Sequence, residues 1–177
     1  MPERVIRLLA YPGGTTLRRV ERDEWTHVAA DGALPEGRAI VPLAVWKARR
    51  DELLARGQPI GVWLAAGEDP AELAPDLSRL ALVAVEFPKW GDGRGNSTGV
   101  LLRTRYGFRG ELRAFGDIGR DHLFNLARCG FDAFVLPPQR DPDDALAALG
   151  DFTLRYQGSV DDPVPLFRKR ATAGGLQ

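Results

Sequence analysis

The 177-residue chain is poor in the residues that carry chemistry on their own. A single cysteine, Cys129, excludes an internal disulfide, a four-cysteine cluster and a C-x2-C zinc knuckle. The only histidines, His27 and His122, lie in separate segments, so no metal-ligand spacing is present and no metal site is assigned. Twenty-four basic and twenty-four acidic residues cancel, which removes the usual basic signature of a nucleic-acid binder. Long apolar runs are lacking too. The longest near the N-terminus, Leu8-Leu9-Ala10-Tyr11, is too short for a signal-peptide core or a membrane span. The expectation is a cytoplasmic protein with neither nucleic acid nor membrane as partner.

Against these absences, 44% hydrophobic and 27% charged residues exclude a disordered chain. The length suits one domain of about 150 residues with a small addition. Residues 1–36 read as a β-hairpin-like appendage. Val5–Ala10 is a strand, Pro12-Gly13-Gly14 a turn, Leu17–Glu24 a charged stretch of open state, and Trp25–Ala30 a second strand. Residues 37–167 read as a single α/β domain and 168–177 as a flexible tail.

Within 37–167, short apolar strands alternate with helical stretches. Arg38–Leu43 is followed by a helix over Ala44–Arg56, capped at Gly57. Pro59–Ala66 is followed by a short helix with Asp69 as N-cap and Pro70 at its first position. Leu80–Phe87 leads through a glycine-rich loop to a helix over Ser97–Tyr106. Glu111–Phe115 leads to a helix over Ile118–Cys129, capped by Asp117. Asp132–Leu136 leads to a helix over Asp143–Leu149, capped by Asp141-Pro142, and Phe152–Gln157 reads as a last strand. About five βα units therefore form a mainly parallel sheet flanked by helices, because strands without polar alternation are buried on both faces. Spacing alone leaves a doubly wound sheet and a partial TIM-like barrel equally open. Both place function at the carboxyl ends of the strands.

The strongest signal at such an end is Lys89-Trp90-Gly91-Asp92-Gly93-Arg94-Gly95, between a buried strand and a helix. Backbone N–H groups and a helix dipole can hold an anion there, and Lys89 and Arg94 add charge. The run is neither a dinucleotide fingerprint, whose third glycine would fall at Asn96, nor a P-loop. The next strand end carries Arg113, Asp117, Arg120, Asp121 and His122. Residues 89–128 hold eight basic and four acidic residues, a local excess that the neutral total hides. The anion and ligand candidates are thus Lys89, Asp92, Gly93, Arg94, Gly95, Arg113, Asp117, Arg120 and Asp121, with His122 a weaker one. The plainer readings make Asp117 a helix cap and His122 a satisfied, half-buried side chain. Cys129, at a helix C-terminus where a thiolate is disfavoured, reads as structural.

The stretch Phe87–Gly95, then Arg103-Thr104-Arg105-Tyr106-Gly107-Phe108-Arg109-Gly110-Glu111-Leu112-Arg113, Gly116–Phe124, Arg128–Phe134 and Tyr156-Gln157-Gly158 followed by Pro163–Arg168 resemble the bacterial family called domain of unknown function 934. Two positions depart from its pattern: Trp90-Gly91, where an aromatic and then Thr or Ser follow the lysine, and His122, where glutamine is usual. Glutamine is neither acid nor base, which argues against catalysis at position 122. The resemblance implies an accessory protein, or an oxidoreductase, of assimilatory sulfate and sulfite reduction. It leaves open a non-enzymatic adaptor of sulfite reductase and a phosphate-binding βα enzyme outside sulfur metabolism. The cofactor stays unknown. With no intrinsic redox motif, a flavin or nicotinamide would be held without a standard fingerprint. The partners implied are sulfite reductase, a small anion and, on base rates alone, a second copy of the chain.

Overall fold

A computed structural model describes residues 4–10, 16–151 and 156–173. In chain order the elements are β1 (Arg4–Ala10), β2 (Thr16–Arg22), β3 (Thr26–His27), β4 (Ala39–Pro42), α1 (Leu43–Ala55) and β5 (Ile60–Leu64). Two 3-10 turns, Pro70–Leu73 and Leu77–Arg79, lead to β6 (Leu82–Phe87) and α2 (Arg94–Thr104). Then come β7 (Glu111–Gly116), α3 (Arg120–Arg128), β8 (Ala133–Val135), α4 (Pro142–Ala148) and α5 (Leu166–Ala173).

Among the described residues eight strands form one sheet, in the order β2-β1-β8-β7-β6-β5-β4-β3. Strands β3 to β8 pair in parallel and in sequence order, whereas β1 is antiparallel to both of its neighbours. The charged stretch after the first strand is thus β2, and the strand expected over Trp25–Ala30 shrinks to Thr26–His27. The first 36 residues supply both outer strands of the sheet. The expected turn at Pro12-Gly13-Gly14 and most of the expected strand over Phe152–Gln157 lie outside the described residues. Helix α5 runs into the stretch read as a tail.

A simple length argument fixes the shape of the sheet. Strands β2 and β3 are its two edges, yet only Asp23, Glu24 and Trp25 join them. Four Cα steps reach at most about 14 Å. Eight flat strands would separate the edges by about 34 Å. The sheet therefore curls into a half-barrel. The ring of His27 on β3 lies 5.1 Å, centre to centre, from that of Phe115 on β7, four strands away.

A sequential strand order with right-handed crossovers puts the helices on one face. That convex face buries Val62, Val83, Val85, Leu112 and Phe134 against Trp46, Leu102, Leu123 and Leu126. On the concave face Trp25 covers Ile40, Leu82 and Ala84, so the strands are buried on both sides, as their composition predicts. Gly57 closes α1 in the left-handed region, and Asp69 and Asp141 cap their segments by accepting from Ala71 N and Asp143 N. The helix expected after Asp69 is only a 3-10 turn, because Pro75 cannot continue it.

The deepest polar group is Arg113, with no exposed surface, in the middle of the concave face. Its guanidinium donates to both Asp23 oxygens at 2.6 and 3.0 Å and to Glu111 Oε1 at 2.9 and 2.7 Å. Arg7 continues the chain of charges towards Glu21 and Glu111. Asp23, 2% exposed at its side chain, also accepts from Trp25 N, so one ion pair holds the segment that joins the edges. Removing one partner of a buried pair strands the other charge. Arg113→Met is expected to lose about 3–5 kcal/mol in urea denaturation. The double variant Asp23→Leu/Arg113→Met should recover most of that loss.

Candidate functional site

Strand direction sets the two ends of the half-barrel. The carboxyl ends of β6, β7 and β8 and the loops leaving them form a mouth. The C-termini of α2 and α3 lie at the opposite, basal end. The candidates divide between mouth, outer surface and interior.

In the loop leaving β6, Asp92 binds its neighbour. Its carboxylate accepts from Arg94 N at 3.2 Å and from Arg94 Nε and Nη2 at 3.0 and 2.6 Å, which lets α2 start three residues earlier than the spacing suggests. Hydrogen bonds from Arg94 hold the Asp92 pKa down to about 2, with a smaller contribution from exposed Lys89. The glycines differ in what they do. A Cβ on Gly95 would lie 2.5 Å from the Phe87 ring, so glycine lets α2 pack on β6. Gly93 has an ordinary φ of −85°, and a Cβ there would meet only Asn96 at 3.8 Å, so the fold does not demand glycine.

Asp117 does not cap α3, which starts after Gly119. Its Oδ2 instead accepts from Trp90 N at 3.0 Å, which ties the β6 loop to the end of β7. Gly116, at φ +107°, makes that bend, because a Cβ would lie 2.4 Å from the Phe87 carbonyl oxygen. Trp90 is the centre of this cluster. Its indole Nε1 donates to Asp121 Oδ2 at 3.0 Å, and its carbonyl lies 2.9 Å from His122 Nε2. The Trp90 and His122 rings meet edge to face at 5.4 Å. His122 Nδ1 accepts from Gly119 N at 3.1 Å, which assigns the proton to Nε2 as the donor to Trp90 O. Despite these restraints Trp90 remains 58% exposed.

The structure therefore brings Asp117, Asp121 and His122 together around Trp90, with the Lys89–Gly95 loop adjoining. It does not bring Arg113 or Arg120 to them. Arg113 is the interior ion pair, and Arg120 binds Asp144 and Asp151 on the outer surface at 2.7 and 3.1 Å.

Beside this cluster the concave face opens in a cavity of about 610 Å³, with His27, Phe115, Asp117, Val135, Pro137 and Gln139 among its walls. Sequence reasoning placed neither His27 nor Phe115 at a site, and it took Trp90 as a loop residue. A lone histidine in a two-residue strand carries no periodic signal. Alternation on β7 is the clue that was there: Glu111, Arg113 and Phe115 share one face, so the polar pair marks a lined interior. Glu86, in register beside Phe115, is half-buried, and its carboxylate has no hydrogen-bond or ion-pair partner among the described residues.

The basal end carries a second cleft of about 690 Å³, flanked by Arg103, Arg109, Arg128, Cys129 and Ser159. Arg103 spends its donors on the carbonyls of Phe108, Gly110 and Gly130 and on Asp132. Burial pushes Asp132 up to about 6, against the pull of Arg103 and Leu112 N. Burial also raises the Cys129 pKa. Much of the local basic excess thus serves helix C-termini at the base, away from the mouth.

Three outcomes follow. His122→Gln should keep both hydrogen bonds, since an amide offers one acceptor and one donor. His122→Ala should lose about 1–2 kcal/mol and shift the Trp90 fluorescence. His27 is held neutral, its pKa lowered to about 4 by burial first and the Arg113 charge second. A folded pKa below the unfolded value of about 6.5 gives stability that is present above pH 6.5 and lost as pH falls towards 4. Urea midpoints measured from pH 7 to 4 should fall less steeply in His27→Asn than in the parent.

Among the described residues no helix is long and apolar enough to cross a membrane, and no group of three His, Cys, Asp or Glu side chains is placed to hold a metal ion. A search of curated proteins finds no match. The family described as bacterial protein of unknown function (DUF934) matches residues 61–167, from β5 to the start of α5. The match takes in the Trp90 cluster, the base and every wall of the mouth cavity named above except His27, and the chain belongs to that family.

Proposed function

We propose that this chain binds a small anion, sulfite or the phosphate of a cofactor, at the mouth of the half-barrel, as an accessory protein of assimilatory sulfate and sulfite reduction. One observation carries the reading. The glycine-rich loop with Lys89 at its start is pinned through Trp90 to Asp117, which is itself a wall of the mouth cavity. The Lys89 ammonium has no hydrogen-bond or ion-pair partner among the described residues, its carbonyl alone being engaged, by Asp92 N, and glycine at 93 serves no evident packing need. A free cation, backbone amides and a rigid mount suit an anion better than a structural turn requires. Five βα units wound in sequence order would make the chain a TIM-like partial barrel, in which the carboxyl ends of the strands are the working face. Electrons, if they pass through this protein, would ride on a bound cofactor or come from sulfite reductase, since its one thiol lies at the base.

Trp90 favours a second reading, an adaptor for sulfite reductase. A large ring that is both exposed and fixed at three polar atoms has the properties of an interface anchor. Calorimetric titration with sulfite and with inorganic phosphate tests the first reading. Binding of either, weakened about tenfold by Lys89→Ala, is expected from the loss of one charge-assisted contact. A deletion strain should fail to grow on sulfate as sole sulfur source. Normal growth would move the chain outside sulfur metabolism. Co-purification with sulfite reductase that is lost in Trp90→Ala, without anion binding, would favour the adaptor.

A further inference from the structure

We infer that the mouth cavity receives a planar heteroaromatic ring, its polar edge read by His27 and Gln139 while the rim loop takes the charge. This deepens the assignment of the mouth as a ligand site and rests on it. The cavity, about 610 Å³, falls in the range of small-molecule sites. Its walls include flat and stiff groups: the Phe115 ring, Pro137 and Pro138. Phe115 cannot easily turn aside. The His27 ring abuts it at 5.1 Å and a tilt of 56°, and Trp63 meets it edge-on at 5.9 Å. Walls of this kind select a thin, rigid, apolar body and hold it at low entropic cost.

The polar groups decide what such a body must carry. The His27 imidazole makes no hydrogen bond or ion pair among the described residues, although most of it is buried and it lines the cavity. A neutral imidazole offers one donor and one acceptor. Gln139 adds an amide, and Asp117 turns one oxygen to Trp90 and has a second to spare. No lysine or arginine is among the described residues lining this cavity. Arg113 stands behind the wall, engaged by Asp23 and Glu111. A carboxylate wall without a cation disfavours an anion inside. The combination fits an uncharged ring that presents adjacent donors and acceptors, with any anionic group left outside near Lys89.

The chain has only two histidines, so imidazole NMR tests this directly. Adenine and lumichrome, heteroaromatic rings without phosphate, are titrated into the labelled full chain. Shifts at His27 are expected with at least one of them. His122, whose two nitrogens are already occupied, should stay still and serves as the internal reference. His27→Ala should weaken ring binding about tenfold, the worth of one buried hydrogen bond. His27→Gln, which keeps a donor and an acceptor, should restore part of it if the alanine variant is poorly folded. Two results overturn the inference: no His27 shift at the solubility limit of both rings, or equal ring binding by parent and His27→Ala. Phosphate binding measured in the same samples separates the two readings. If it persists while the rings fail, the rim stands and the ring site falls. Ring binding without phosphate binding does the reverse.

Discussion

Three residues between β2 and β3 govern the rest of the molecule. A sheet whose edges are joined by Asp23, Glu24 and Trp25 cannot lie flat, and from that limit come the half-barrel and its packed concave face. The Asp23–Arg113 pair sits at this point. Desolvating two charges is costly, and here they are matched by a two-pronged guanidinium–carboxylate contact and by Glu111 as a second acceptor. A buried pair of this kind defines which conformation the edge-joining segment adopts. It also puts a positive charge behind the wall formed by His27, which is part of why that imidazole is neutral.

Much of the architecture could be read from residue order. The apolar runs at 60–64 and 82–87 announce strands covered on both faces, and Gly57, Asp69 and Asp141 announce their caps, because each signal is local. The curl is not local. It depends on β1 docking against β8, more than a hundred residues away, and on a joining segment whose length has meaning only once both edges are known. The same limit explains Arg113. In sequence it is a cation near a strand end, indistinguishable from Arg120, and only the third dimension puts one in the interior and the other on the surface. Asp117 failed as a cap for a different reason. Trp90, twenty-seven residues earlier, competes for its carboxylate, and Gly119 then starts the helix without a side-chain cap.

The loops of the mouth owe their definition to hydrogen bonds between neighbouring βα units. Trp90 contributes a backbone amide, a carbonyl and an indole N–H to residues of the next unit, so the two loops form one rigid piece. The base is built differently. There Arg103 gathers the carbonyls of three turns and one carboxylate, a job of stability rather than recognition. This split, with stiff but accessible groups above and saturated groups below, is the division of labour expected of βα architectures.

The edges of the half-barrel have a consequence for life at high concentration. An open sheet exposes unpaired backbone groups to which further strands could add without limit. Here one border, β3, is two residues long and too short to template a neighbour. The other, β2, carries Arg19, Glu21 and Arg22, and an incoming strand would have to bury that charge. Among the described residues the sheet is thus left unclosed without inviting the end-to-end growth that leads to fibres.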